Sequence, residues 1–224
     1  MKTFLLSTRN AHKVAEIRAL LGDAFEYLTL ADFPEAPTVK EDADTFAGNA
    51  AKKAVELAAW VSRQGISTLK SQISYLWVLA DDSGLEVDAI GGAPGVHSAR
   101  FAALDQGAPG NSPDAANNAK LLRLLDGVPW EKRTARFRCV IAIVAVRTLA
   151  IATTDRSSVD VQGFQGTCEG RIGLAPRGDA GFGYDPLFVP DGFAQTFAEL
   201  GEDTKNQISH RAKALLKLRQ WLKT

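Results

Sequence analysis

Short apolar runs alternate with amphipathic stretches along the chain. Residues 3–8 are apolar and few, as in a buried strand, and run straight into NAHKVAEIRALLGD, where Val14, Ile17, Leu20 and Leu21 recur at helical spacing. Asn10 can cap that helix and Gly22 can stop it, which places Lys13 in the first turn. Residues 31–44, with Pro34, Pro37 and several acids, read as a loop. Thr45 then caps a second helix through Trp60 toward Gly65, with Asn49 and Lys53 on one face at i, i+4 spacing. Residues 76–80 have the pattern of another buried strand that ends in a polar turn, DDSG, and GGAPGVHSARFA carries too many glycines for regular structure. Ser112-Pro113 starts a third helix that holds Leu121, Leu122, Leu124 and Leu125 before Gly127. Residues 134–147, 150–154 and 157–163 read as successive strands of an antiparallel meander. A glycine-rich loop, RGDAGFGYDP, follows, and Ser209 caps a last helix with Leu215, Leu216, Leu218 and Leu222. No repeat, linker or low-complexity tract divides the chain, so residues 1–224 are expected to form one α/β domain with a mixed sheet, its two lobes around a cleft.

Composition narrows the classes. Lys and Arg together number 26 and Asp and Glu 26, a zero net charge that argues against a chain that coats nucleic acid. The two cysteines, Cys139 in an apolar run and Cys168 in what reads as a loop, give neither a disulfide framework nor metal-type spacing, which suits a reducing cytoplasm. The opening MKTFLLSTRN is too short in its apolar part for a signal peptide. The longest apolar run, 139–146, is bounded by Arg138 and Arg147, so no membrane span is expected.

Five segments could carry chemistry. STRNAHK delivers a strand to a helix amino terminus with Asn10 and Lys13 beside unpaired N–H groups, an anion site by construction; the plain alternative is a capped helix with a solvated Lys13. Asp81 and Asp82 close an apolar strand, where a carboxylate can hold Mg²⁺ or take a proton from water; the alternative is a turn bonded to its own backbone. In GDAGFGYDPLF, Phe182 and Tyr184 could stack on a base, Gly183 allows close approach and Asp185 can accept hydrogen bonds. Lys205 precedes Ser209-His210-Arg211, which sets cations in a first helical turn against the helix dipole. PGVHSAR adds His97, Ser98 and Arg100, without a compelling Ser-His-Asp reading.

In this order the segments resemble the inosine triphosphate pyrophosphatase family. The resemblance runs from Ser7 to Arg211 and rests on T-x-N-x-x-K at Thr8, Asn10 and Lys13, TFAGNA at 45–50, ADDSGLEVDAIGGAPGVHSAR, DAANNAKLL, CEGRI, GFGYDPLF and SHR. It implies an elongated mixed sheet flanked by helices, a Mg²⁺-dependent site, a homodimer, and hydrolysis of ITP, dITP and XTP to monophosphate and pyrophosphate. Carried over by motif, Thr8, Arg9, Asn10, Ala11, His12, Lys13 and Lys53 would contact the triphosphate, with Lys53 also catalytic, Asn49 would touch substrate, and Asp82 would accept a proton or bind the metal. Ser83 and Arg100 would touch substrate; Phe182, Gly183, Tyr184, Asp185, Lys205, His210 and Arg211 would hold the nucleotide and read its base. Three departures stand out. Lys40-Glu41-Asp42 replaces a run of glutamates, which makes Glu41 the second metal carboxylate by choice; Arg9 stands where the family has glycine; and 67–77 is longer than usual, as in a surface insertion. A Maf-type pyrophosphatase, a nucleotide sensor without turnover and a dinucleotide-binding oxidoreductase domain are the other readings, the last lacking G-x-G-x-x-G.

Overall fold

In the computed structural model, which describes residues 2–64, 75–107, 110–146 and 160–223, strand β1 (Lys2–Leu6) lies between β2 (Glu26–Thr29) and β3 (Tyr75–Val87). It runs parallel to both, with Leu5 opposite Leu28 on one side and Val78 on the other. A strand flanked on both sides by parallel partners needs apolar residues on both faces, and Phe4, Leu5 and Leu6 are fully buried. Strands β4 (Thr134–Val146), β5 (Val161–Ile172) and β6 (Phe188–Pro190) complete a six-stranded sheet in the order β2-β1-β3-β4-β5-β6. The β5–β6 pair is antiparallel, so the sheet is mixed as expected.

Local chemistry sets the helix ends. Asn10 Oδ1 accepts the N–H groups of His12 and Lys13 to start α1 (Ala11–Leu21), and Gly22, at φ 80, stops it. Thr45 Oγ1 accepts Gly48 N–H at the start of α2 (Phe46–Gln64). Ser112, expected to cap α3 (Asp114–Leu124), instead accepts Ala103 N–H at 2.8 Å, and the helix begins after Pro113 without a side-chain cap. Thr196 and Glu199 form a capping box on α4 (Phe197–Ile208), and Ser209 Oγ accepts Ala212 N–H at the start of α5 (His210–Trp221).

Three further expectations change. DDSG is no turn: β3 continues through it to Val87 because Ala80, Leu85 and Val87 are all needed in the core. GVHSAR forms a 3-10 helix, Gly95–Arg100, whose Ser98 Oγ donates to Gly95 O and accepts Leu85 N–H. Cys168 belongs to β5 and is buried, with its thiol pushed up to about 11 by burial. The expected strand 150–154 lies outside the described residues, as do all of 67–77 except the three residues that open β3, and 157–163 overlaps only the start of β5.

The chain divides into two compact units. One comprises Met1–Asp82, Val140–Phe164 and Leu215–Thr224; the other comprises Ser83–Cys139 and Gln165–Ala214. Ile17, Leu57, Val61 and Val78 are buried in the first, where Trp77 meets Trp221 edge to face. The second has its own cluster around Leu85, Leu121, Phe137, Phe188 and Phe197. In this second unit the buried Arg133 donates to the carbonyls of Leu125, Val128 and Gly173 at 2.7, 2.9 and 3.0 Å, so that a cation closes the carboxyl end of α3. Arg133→Met removes the side-chain donor from all three carbonyls, of which Leu125 C=O keeps Val128 N–H, and is expected to cost roughly 2–4 kcal/mol in urea denaturation. No helix among the described residues is long and apolar enough to cross a membrane.

Candidate active site

The first unit gathers charge where β1 ends beside the middle of β3. Ser7 N–H donates to Leu79 O at 2.8 Å, so the chain leaving β1 passes beside the stretch of β3 that carries Asp81 and Asp82. Adjacent residues of a strand point to opposite faces, which gives the two acids different partners. Lys13, from the first turn of α1, pairs with Asp81, whose side chain is almost wholly buried. Lys13 is therefore paired and not merely solvated.

Lys53 of α2 is the centre of the second group. Its Nζ donates to Glu41 Oε2 at 2.8 Å, to Asp81 O at 2.8 Å and to Asp82 Oδ1 at 3.3 Å. Burial pulls the Lys53 pKa down, but the charges of Asp82 and Glu41 outweigh it and hold the ammonium above its ordinary value. Burial pushes the Asp82 carboxyl up to about 6, helped by the Glu41 charge and opposed by Lys53 and Lys13. Glu41 is also pushed up by burial, yet the Lys53 ammonium and its hydrogen bond bring it below the usual carboxylate range.

The other residues expected here have distinct places. Thr8 Oγ1 accepts Asn10 N–H at 3.1 Å, and Asn10 Oδ1 is taken by the helix cap. Ala11 and His12 open α1 and are exposed, and Arg9 donates to Ala36 O at 3.3 Å. Asn49, expected as a substrate contact, is fully buried and uses its amide on Ala43 alone, accepting the N–H at 2.9 Å and donating to the C=O at 3.2 Å. It fixes the loop that carries Glu41.

The second unit holds the remaining set. Lys205 Nζ donates to Asp185 Oδ2 at 2.6 Å and lies 4.4 Å from the centroid of the Phe182 ring, while both members of the ion pair are at least 95% buried. Phe182 N–H donates to the same Oδ2 at 2.9 Å. Gly181, at φ +79, is required there: a Cβ would sit 2.2 Å from that oxygen. Arg211, 1% exposed, donates to Ser83 Oγ at 2.8 Å and lies 5.9 Å from the Phe182 centroid. His210 stacks on Phe137 at 4.7 Å, and Arg100 is half-buried in the last turn of its 3-10 helix. Tyr184, expected as a stacking ring, belongs to the core and donates its hydroxyl to Ser98 O at 2.9 Å. Gly183 is held by Asp114 and Asn118 of α3, two residues whose role the motifs did not suggest.

Comparison with known proteins decides the family. The chain matches the Ham1 family over residues 4–221. It belongs to the Ham1 family. A dITP/XTP pyrophosphatase of Geobacillus kaustophilus is 48% identical over 223 residues, 99% of this chain and 95% of that relative. A HAM1 protein from Coxiella burnetii has a solved structure that superposes with a TM-score of 0.76 at 34% identity, over 100% of this chain and 99% of that one. The structure of a nucleoside-triphosphatase / dITP/XTP pyrophosphatase from Mycobacterium abscessus gives 0.66 at 37% identity, over 97% and 98%. The Ham1 match thus spans both compact units.

The donor set suits a hard divalent cation. Asp82 Oδ2 is buried and has no hydrogen-bond partner among the described residues, and Glu41 shares Lys53 with it. No group of three or more His, Cys, Asp or Glu residues that could hold a metal ion occurs among the described residues. Glu41 and Asp82 are the carboxylates that would hold such an ion, and Mg²⁺ is commonly held by one or two carboxylates with water and substrate phosphates completing its shell.

Proposed function

We infer that this chain hydrolyses non-standard purine nucleoside triphosphates, dITP, XTP and ITP, to the monophosphate and pyrophosphate, which keeps deaminated purines out of nucleic acid. The observation that carries this reading is the buried Lys53 bridging Glu41 and Asp82, in a Ham1 chain whose relatives are named dITP/XTP pyrophosphatases. Lys13 and Lys53 neutralise phosphate charge on either side of the breaking α–β bond. Asp82, with one oxygen on Lys53 and the other lacking a hydrogen-bond partner among the described residues, orients the attacking water and accepts its proton. Glu41 and Asp82 would hold Mg²⁺, which supplies further positive charge to the phosphates. At the base, Lys205 and Arg211 beside Phe182 carry donors only. Purine oxygens at position 6 match such donors, whereas the amino group of adenine opposes them.

The same reading includes a homodimer and a cytoplasmic enzyme. Two buried, free cysteines suit a reducing compartment, and exposed apolar Trp130, Leu174 and Phe193 around one groove offer a surface that a second copy could cover. With Mg²⁺ present, XTP and dITP are expected to yield monophosphate and pyrophosphate, and excess chelator is expected to remove the activity and restored Mg²⁺ to return it. Orthophosphate as the first product, or undiminished turnover in chelator, contradicts the assignment.

A further inference from the structure

Helix α3 grips the 182–185 loop through a single residue. Asp114 Oδ2 accepts Gly183 N–H at 2.7 Å, and Asn118, one helical turn further, donates its Nδ2 hydrogen to Gly183 C=O at 3.0 Å. The i, i+4 spacing puts the two side chains on one stripe of the helix. Gly183 lies at φ +64, so both peptide planes that meet at this reversal are fixed from α3. The second plane also carries Tyr184 N–H, which points opposite to Gly183 C=O because the peptide is trans and planar. Among the described residues nothing accepts from that N–H. Asn118 is kept at a cost, since its Oδ1 is buried with no partner among the described residues. A clamp of purely structural use has no reason to bury an idle acceptor, and α3 is already tied to its surroundings by Asn117, which bonds Ala99 O and Ala102 N–H, and by Lys120, which donates to Phe101 O.

We propose that Asp114 and Asn118 are positioning residues for base selection, holding the Gly183–Tyr184 peptide so that Tyr184 N–H meets the exocyclic oxygen of an oxo purine. Adenine presents an amino donor to the same N–H and gains nothing from it. The inference rests on the reading of residues 182–185 as the base loop of a triphosphate pyrophosphatase.

Steady-state kinetics of D114A, D114N and N118A with XTP, dITP and ATP, beside a melting curve for each, test it. In D114A and N118A the KM for XTP and dITP is expected to rise roughly 3- to 10-fold, the worth of one net hydrogen bond, with kcat little changed and the KM for ATP unmoved. D114N, which retains an acceptor for Gly183 N–H, recovers most of the difference. Asp114 is exposed, so its variants carry the test even where N118A fails to fold. Unchanged KM values, or a rise for ATP equal to that for XTP, overturn the positioning role while leaving the pyrophosphatase reading intact. A wild-type protein that turns over neither XTP nor dITP overturns both.

Discussion

Asp82→Asn is expected to lower kcat for XTP by about 10²–10⁴-fold, the usual contribution of a positioned proton acceptor. Asparagine fills the same volume, and Lys53 keeps its bonds to Glu41 Oε2 and Asp81 O, so the melting temperature stays close to that of the wild type. The variant loses only the means to take a proton from water and one of two carboxylates beside Lys53. Triphosphate affinity, measured with a non-hydrolysable analogue, is therefore expected to change far less than the rate. A variant that retains more than about a tenth of wild-type kcat would move the proton acceptor elsewhere.

Lys205→Met carries the largest expected effect on stability. The Lys205–Asp185 pair has no solvent to fall back on, and the aspartate also receives Phe182 N–H. Removing the cation leaves an uncompensated buried carboxylate, a loss of about 3–5 kcal/mol. Lys205→Met combined with Asp185→Asn removes the stranded charge and is expected to recover part of that loss in urea denaturation, giving a coupling that neither single change reveals. Additive losses in the two variants would show that the pair acts independently.

The parts of the fold that were legible in the sequence are those signalled by local chemistry. Asn10 and Gly22 bracket α1 because a cap oxygen and a left-handed stop are chain-local devices, and Thr45 and Ser209 announce α2 and α5 in the same way. Strands β2 and β6 escaped notice at four and three residues, too short to display a period. Helix α4 was hidden by Gly201, whose φ of 76 breaks its interior, although Thr196-x-x-Glu199 was a readable start. The DDSG segment misled because acids and glycine signal turns, whereas the buried neighbours on both sides hold it in β3.

At the candidate site, motifs supplied the residue names but not their partnerships. Lys53 with Glu41, and Lys13 with Asp81, are separated by 12 and 68 positions, and only the packing of α1 and α2 against the sheet brings such pairs together. Asn49 and Tyr184 show the converse: residue types suited to binding whose side-chain polar atoms are used by Ala43 and Ser98. Asp114 and Asn118 lay in a recognised motif, DAANNAKLL, and their i, i+4 spacing was visible, but nothing local indicated that their common target is one glycine 65 positions from Asn118.

The most direct measurement is the ratio of kcat/KM for XTP to that for ATP on the wild-type protein with Mg²⁺, with pyrophosphate followed as the product. A pocket whose polar groups match an oxo purine predicts a preference of about 10²-fold or more. Equal turnover of ATP and XTP, or no pyrophosphate from either, would contradict the account.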